Sequence, residues 1–264
     1  MDLSRDGTAS STVLDTLLFV LLVGAAVGVL AGSETFAVGG GGGAGNGLET
    51  DRMADILATS TAEVTHVRTA TVTTASLLDG EDSRQVRVER TSRGTYAELL
   101  AAAATADPEL SDAALTGRDG NLARQTRAVT ERVLSGTATD VHVRAVWRPY
   151  PDAPLAGAVA AGEQPPANAD ISATKMAVPS GFDCVRADAR SAARTDSYAG
   201  VATVVARAVV DGLSPPAETG EALYSEGPDR ALVADRYRTA MSALGVDWDG
   251  RLGPRDVSSA NDRL

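Results

Sequence analysis

VLDTLLFVLLVGAAVGVLA, residues Val13 to Ala31, is the stretch on which the architecture turns, because nothing comparable recurs in the acidic, polar remainder. At about 1.5 Å of helical rise per residue it spans about 28 Å, close to the roughly 30 Å hydrocarbon thickness of a bilayer. It is read as one transmembrane helix over residues 13–32, behind an N-terminal segment 1–12. The ends decide between a retained anchor and a cleaved export signal. Arg5 is the only basic residue ahead of the core and is offset by Asp2 and Asp6. The apolar run from Leu17 to Ala31 already matches the longest signal cores, of about 15 residues. Both features favour the anchor, while Ala31-Gly32-Ser33 keeps a cleavage site open. Arg5 lies on the N-terminal side, and Arg52 is the first basic residue beyond the helix, which puts the N-terminus inside and the rest outside. The expected location is the cell membrane, single-pass, with an extracellular outer domain.

Within this helix Gly24, Gly28 and Gly32 recur every fourth position and stack on one face. Missing side chains there let a second helix approach closely, so the three form a candidate helix-packing seam; the alternative is the general abundance of glycine in membrane spans. The five glycines 39–43, extended by Gly45 and Gly47, make residues 33–48 a glycine-rich linker. The outer domain is assigned to 49–250, with a subdivision near 137–140, and 251–264 to a C-terminal tail.

The outer domain reads as α+β. Met53, Ile56 and Leu57 mark a helix from Glu49 to Ser60, followed by a Thr- and Val-rich strand from Val64 to Leu78. The turn signal Asp79-Gly80-Glu81-Asp82 and the alternation from Gln85 to Arg90 complete a hairpin, with Val86 and Val88 on one face. Thr95 and Glu98 stand at capping-box spacing ahead of a helix that Asp107-Pro108 ends. A further helix, Asn121 to Leu134, carries Leu122, Val129 and Val133 on one face. The strand Val141 to Trp147 points its odd-numbered residues inward. Residues 155–170 read as a connection or weak strand, and Ile171 to Val178 as a strand. Helices are expected over Tyr198 to Val210, with the stripe Val201, Val204, Val205, Ala208 and Val209, and over Pro228 to Leu244, with Val233, Tyr237, Met241 and Leu244.

Charge narrows the partners. The chain holds 35 Asp plus Glu against 24 Lys plus Arg, a formal charge of -11, and Lys175 is its only lysine. Phosphate backbones need clustered cations and bases need aromatic platforms, so no nucleic acid partner is expected. The lone Cys184 excludes an internal disulfide and is expected as a small buried hydrophobe. His66 and His142 sit in strand patterns, with no local sign of a dyad with Cys184. There is no metal-ligand pair at recognised spacing, no phosphate-binding loop and no nucleophile elbow. Asp247 and Asp249, flanking Trp248, are the best acidic pair, but only Gly250 and Arg251 follow, without the spaced oxygens of a calcium loop, and they stand in a polar segment with Gly253 and Pro254. No catalytic residue, cofactor or metal is therefore expected. Trp147-Arg148-Pro149-Tyr150-Pro151 is the densest unusual cluster. Trp147, Arg148 and Tyr150 form a candidate interface, weighed against a core tryptophan ending its strand.

A weakly charged N-terminus running into one apolar helix, then an acidic, arginine-over-lysine outer domain rich in Ala, Thr and Val, resembles membrane-anchored, pilin-like proteins of salt-loving archaea. These accompany type IV pilus or secretion systems. VWRPYP (Val146 to Pro151) and ISATKMAVPSG (Ile171 to Gly181) are similar to stretches of one uncharacterised family of that group. The resemblance implies no active site. The glycine run departs from it, breaking the continuous helix that packs a fibre, and Gly7-Thr8 stands five residues ahead of Val13. The resemblance therefore implies a minor or accessory, non-enzymatic component that meets the membrane and protein partners through its helix and outer domain. The alternatives are an anchored extracellular binding module for a small ligand or polymer, and a carboxylate-based hydrolase.

Overall fold

The computed structural model describes residues 44–75, 81–111, 113–115, 121–137, 140–225, 227–247 and 252–264. The N-terminal segment, the expected transmembrane helix and most of the stretch read as linker lie outside the described residues. Among the described residues, no helix is long and apolar enough to cross a membrane. The fold is α+β, as the alternating patterns indicate.

The first helix, α1 (Ala44–Thr59), starts inside the stretch read as linker. Glycine costs about 1 kcal/mol per helical position without forbidding it, so a helix set by downstream apolar residues can extend back through Gly47. Two compact units are formed, one holding 44–54 and 170–177 of the described residues, the other 55–169 and 178–264. Both sides of 137–140 belong to the second unit. In the first unit, 171–177 form no ladder, and Ile171 and Met176 are exposed. This corrects the strand expected over Ile171 to Val178: alternation alone does not make a strand without a partner to take its hydrogen bonds.

In the second unit, β1 (Thr61–Ala75) and β2 (Glu81–Thr95) pair antiparallel without a bulge from Thr61↔Thr95 to Ala75↔Glu81. Even-numbered Val64, His66 and Ala70 are buried, while Val86 and Val88 are half-buried on the even face of β2. The hairpin runs directly into α2 (Tyr96–Ala106). Glu98 N–H donates to Thr95 Oγ1 at 3.1 Å, and the Glu98 carboxylate accepts from Thr95 N–H at 2.8 Å, the reciprocal box foreseen from spacing. The base is closed by Tyr96 N–H donating to Ser60 C=O at 3.2 Å.

Short strands β3 (Glu109–Leu110) and β4 (Ala113–Ala114) join β5 (Val143–Trp147) and β6 (Leu155–Ala161) in a sheet of order β4-β3-β6-β5. In β5 the odd-numbered residues do point inward, but the strand starts two residues later than expected. The ambiguous stretch after Pro154 is the strand β6. Between β4 and β5 runs α3 (Asn121–Leu134), whose buried residues are Thr126, Thr130 and Leu134, with Val129 and Val133 only half-buried. Thr130 is tolerated inside because its hydroxyl donates to Thr126 C=O at 2.8 Å.

The remaining helices are α4 (Arg186–Thr195), α5 (Ser197–Leu213), α6 (Pro216–Tyr224), α7 (Pro228–Leu244) and α8 (Val257–Asn261). Gly245 ends α7 in the left-handed conformation, φ 68°, where a side chain would be strained. One core gathers Leu100, Ala103 and Ala104 of α2, Trp147, Val159 and Val209. Gly157 lets α2 lie directly on β6, since a Cβ there would fall 1.8 Å from Ala104 O. A second core joins Leu223, Tyr237, Met241, Val257 and Ala260. Residues 252–264 thus contribute buried side chains of α8 to this core, where a polar tail was expected. Each fully buried Leu or Met contributes about 1.5–3 kcal/mol relative to exposure.

Candidate functional site

The expected cluster at the end of β5 divides between interior and surface. Trp147 is 9% exposed and stacks on Phe182, ring centroids 4.6 Å apart and tilted by 32°. Phe182 in turn covers Gly212 of α5, where a Cβ would meet its ring at 2.3 Å. Trp147 is a core residue, whereas Arg148 and Tyr150 reach solvent, and Arg148 lies 4.0 Å from Asp152 on the same turn. Gly24, Gly28 and Gly32 lie outside the described residues, as does Asp249, while Asp247 is exposed. Cys184 is exposed, which corrects the buried hydrophobe expected of it. It stands in the coil before α4, a helix with no buried residue, so no core is there to receive it. His66 is buried on β1, and His142 Nδ1 lies 3.2 Å from Gly162 O just ahead of β5. Among the described residues, no group of His, Cys, Asp and Glu is placed to hold a metal ion.

A concavity of about 430 Å³ forms an open groove between α3 and the outward face of β5 and β6. Arg124 and Arg127 stand three residues apart on α3 and so share a face of that helix. Arg144 is on the exposed, even-numbered side of β5 and is the register partner of Ala160. Arg127 Nε donates to the same Ala160 C=O at 2.7 Å, which fixes that guanidinium against the strand and leaves its terminal N–H groups available. Ala158 and Ala160 keep the floor low. Among the described residues, no carboxylate lies within ion-pair distance of the three arginines, whereas Arg90, Arg93, Arg148, Arg207 and Arg238 each meet an Asp or Glu. Sequence reasoning missed this groove. Its available signals were the Arg124/Arg127 spacing and the even-numbered position of Arg144, but uniting them needs the packing of α3 on β6.

A fourth arginine has a different environment. Arg236 of α7 is mostly buried, and its Nε makes no hydrogen bond among the described residues. Burial, followed by repulsion from Arg68, pushes its pKa down from the ordinary arginine value to about 10, against the pull of Asp107 and Tyr237. The neighbouring Tyr237 is raised above 10.0, chiefly by burial. Its hydroxyl donates to Asn261 Oδ1, and Asn261 Nδ2 donates to Asp211 Oδ1 at 2.8 Å and Ser214 O at 3.1 Å. This network is internal and satisfied, so it has the character of a structural tie.

No curated protein and no solved structure matches this chain. The model of a family of unknown function, DUF7284, matches residues 14–264, and the chain belongs to that family.

Proposed function

We propose that this DUF7284 chain is a non-enzymatic, membrane-anchored accessory component of an archaeal surface filament or secretion assembly, single-pass, with an extracellular outer domain. The observation that carries the reading is the apolar run Leu17 to Ala31, placed ahead of an acidic α+β body and separated from it by glycines. The body also exposes aromatic side chains suited to protein contacts: Tyr198 is 90% exposed and Tyr224 66%. Pilin-like character and the salt-loving archaeal setting rest on the resemblance of the N-terminal organisation and composition.

The test is recovery of the native full chain from membranes together with its neighbours. Mild crosslinking, detergent extraction and affinity capture are expected to return filament or secretion-machine subunits, and protease added to intact cells is expected to remove the outer body. Recovery of the full chain from the soluble fraction, alone and protected from external protease, would sink the proposal. Mass spectrometry of the native N-terminus separates the anchors: Met1 marks an unprocessed span and Thr8 pilin-type processing, whereas a start near Glu34 marks cleaved export and contradicts the anchor.

A further inference from the structure

We propose that the groove of Arg124, Arg127 and Arg144 is a binding site for a small organic or inorganic polyanion carrying at least two oxyanion groups, phosphate or carboxylate. This goes beyond the accessory reading and does not depend on it. Three guanidinium groups share one groove on a chain of formal charge -11. In such a chain carboxylates are abundant, and Arg90, Arg93, Arg148, Arg207 and Arg238 each meet one. The groove excludes them: its remaining lining is Ala123, Ala158, Val159 and Ala160. Like charges brought together without a counter-charge repel one another, and an anion that bridges them relieves that repulsion.

The geometry favours recognition over diffuse attraction. Arg127 is held by its Nε bond to Ala160 C=O, so its Nη edge is oriented before a ligand arrives. Arg144 projects from the strand position paired with that same Ala160, and Arg124 comes from one helical turn earlier than Arg127. A guanidinium fork matches the paired oxygens of a phosphate or carboxylate. Two or more oxyanion groups are needed because the groove is open, and a single monovalent anion there competes poorly with water and salt. A volume of about 430 Å³ falls within the range of small-molecule sites. The small side chains of Ala158 and Ala160 give the space that Val or Leu would fill.

The test uses the full chain in detergent, in the salt that keeps its circular dichroism native. Pyrophosphate and citrate are titrated separately by calorimetry, one presenting tetrahedral and the other planar oxyanions. Saturable one-site binding of at least one is expected, and the stronger of the two names the preferred oxyanion. Arg124→Gln and Arg144→Gln, neither of which breaks a hydrogen bond among the described residues, should each weaken it about tenfold or more, while Arg90→Gln leaves it unchanged. In parallel, the bound probe should protect Arg124 and Arg144 from phenylglyoxal, read by peptide mass spectrometry. Absence of saturable binding by both probes, unchanged affinity in the Arg124→Gln, Arg144→Gln double variant, or an equal loss in Arg90→Gln would overturn the site.

Discussion

The two cores of the second unit solve burial in opposite ways. The first is apolar and close: Ala103, Ala104 and Gly157 bring α2 against β6, and Trp147 and Phe182 fill the far side over Gly212. The second holds a polar tie in its middle, with Tyr237, Asn261, Asp211 and Ser214 joined by hydrogen bonds among Leu223, Met241 and Val257. A core built on close approach has no slack for added atoms. A core built around a satisfied polar group resists removal of a partner instead, because the group left behind remains buried.

The sharpest way to break that contrast is Gly157→Ala. The new Cβ would overlap Ala104 O, so α2 must move, and unfolding by urea should show a loss of about 3–5 kcal/mol. A loss under about 1 kcal/mol would mean that the first core has the slack denied to it. Asn261→Ala comes next. It removes the acceptor of the Tyr237 hydroxyl and the donor to Asp211 Oδ1 and Ser214 O, and should cost about 2–3 kcal/mol by the same measurement. An unchanged midpoint would show that the polar tie contributes nothing.

Arg236→Met should act in the other direction. It replaces a buried cation by an apolar chain of similar length, and the fall of its pKa to about 10 corresponds to about 3 kcal/mol at most. A gain of about 1–3 kcal/mol at neutral pH is expected, and destabilisation would reveal an anionic partner for Arg236 that outweighs its desolvation.

Smaller still is the alkaline response of the second core. Tyr237 is raised above 10.0, so from about pH 10 upward the native chain keeps a proton that the unfolded chain releases, and stability falls with pH. Arg236 has the opposite sign from about pH 10 upward, because there the unfolded chain keeps the proton that the native chain releases. Tyr237→Phe should therefore lose stability at neutral pH yet show a shallower decline above pH 10. Equal slopes would remove Tyr237 from the alkaline transition.

Legibility in the sequence followed the range of the interaction. The capping box at Thr95 and Glu98, the alternation ending at Trp147 and the stop at Gly245 are local, and each was readable from a few neighbouring residues. The buried face of α3 was misjudged because hydrophobicity favoured Val129 and Val133, whereas Thr130 enters the interior by bonding back to its own helix. LAGAVAA in β6 reads equally as a connection or a weak strand, because the reason for its small residues lies in α2, about fifty residues earlier. Asn261 gave no sign of its role, since its partners Tyr237, Asp211 and Ser214 are all distant in sequence. The arginine groove was hidden in the same way: one face of a helix and one face of a strand acquire meaning only once α3 lies beside β6.

The bulge-free hairpin has an evolutionary consequence. From Thr61↔Thr95 to Ala75↔Glu81 every pairing keeps one register, and the Tyr96–Ser60 bond together with the Thr95 cap pins the base. A single-residue insertion in either strand would turn all positions beyond it to the opposite face or force a bulge. Viable length changes in this arm should therefore be matched, one residue in each strand, and concentrated at the end between Ala75 and Glu81. Homologous hairpins should differ in length by steps of two residues, one in each strand, while the helix junctions at their base stay fixed.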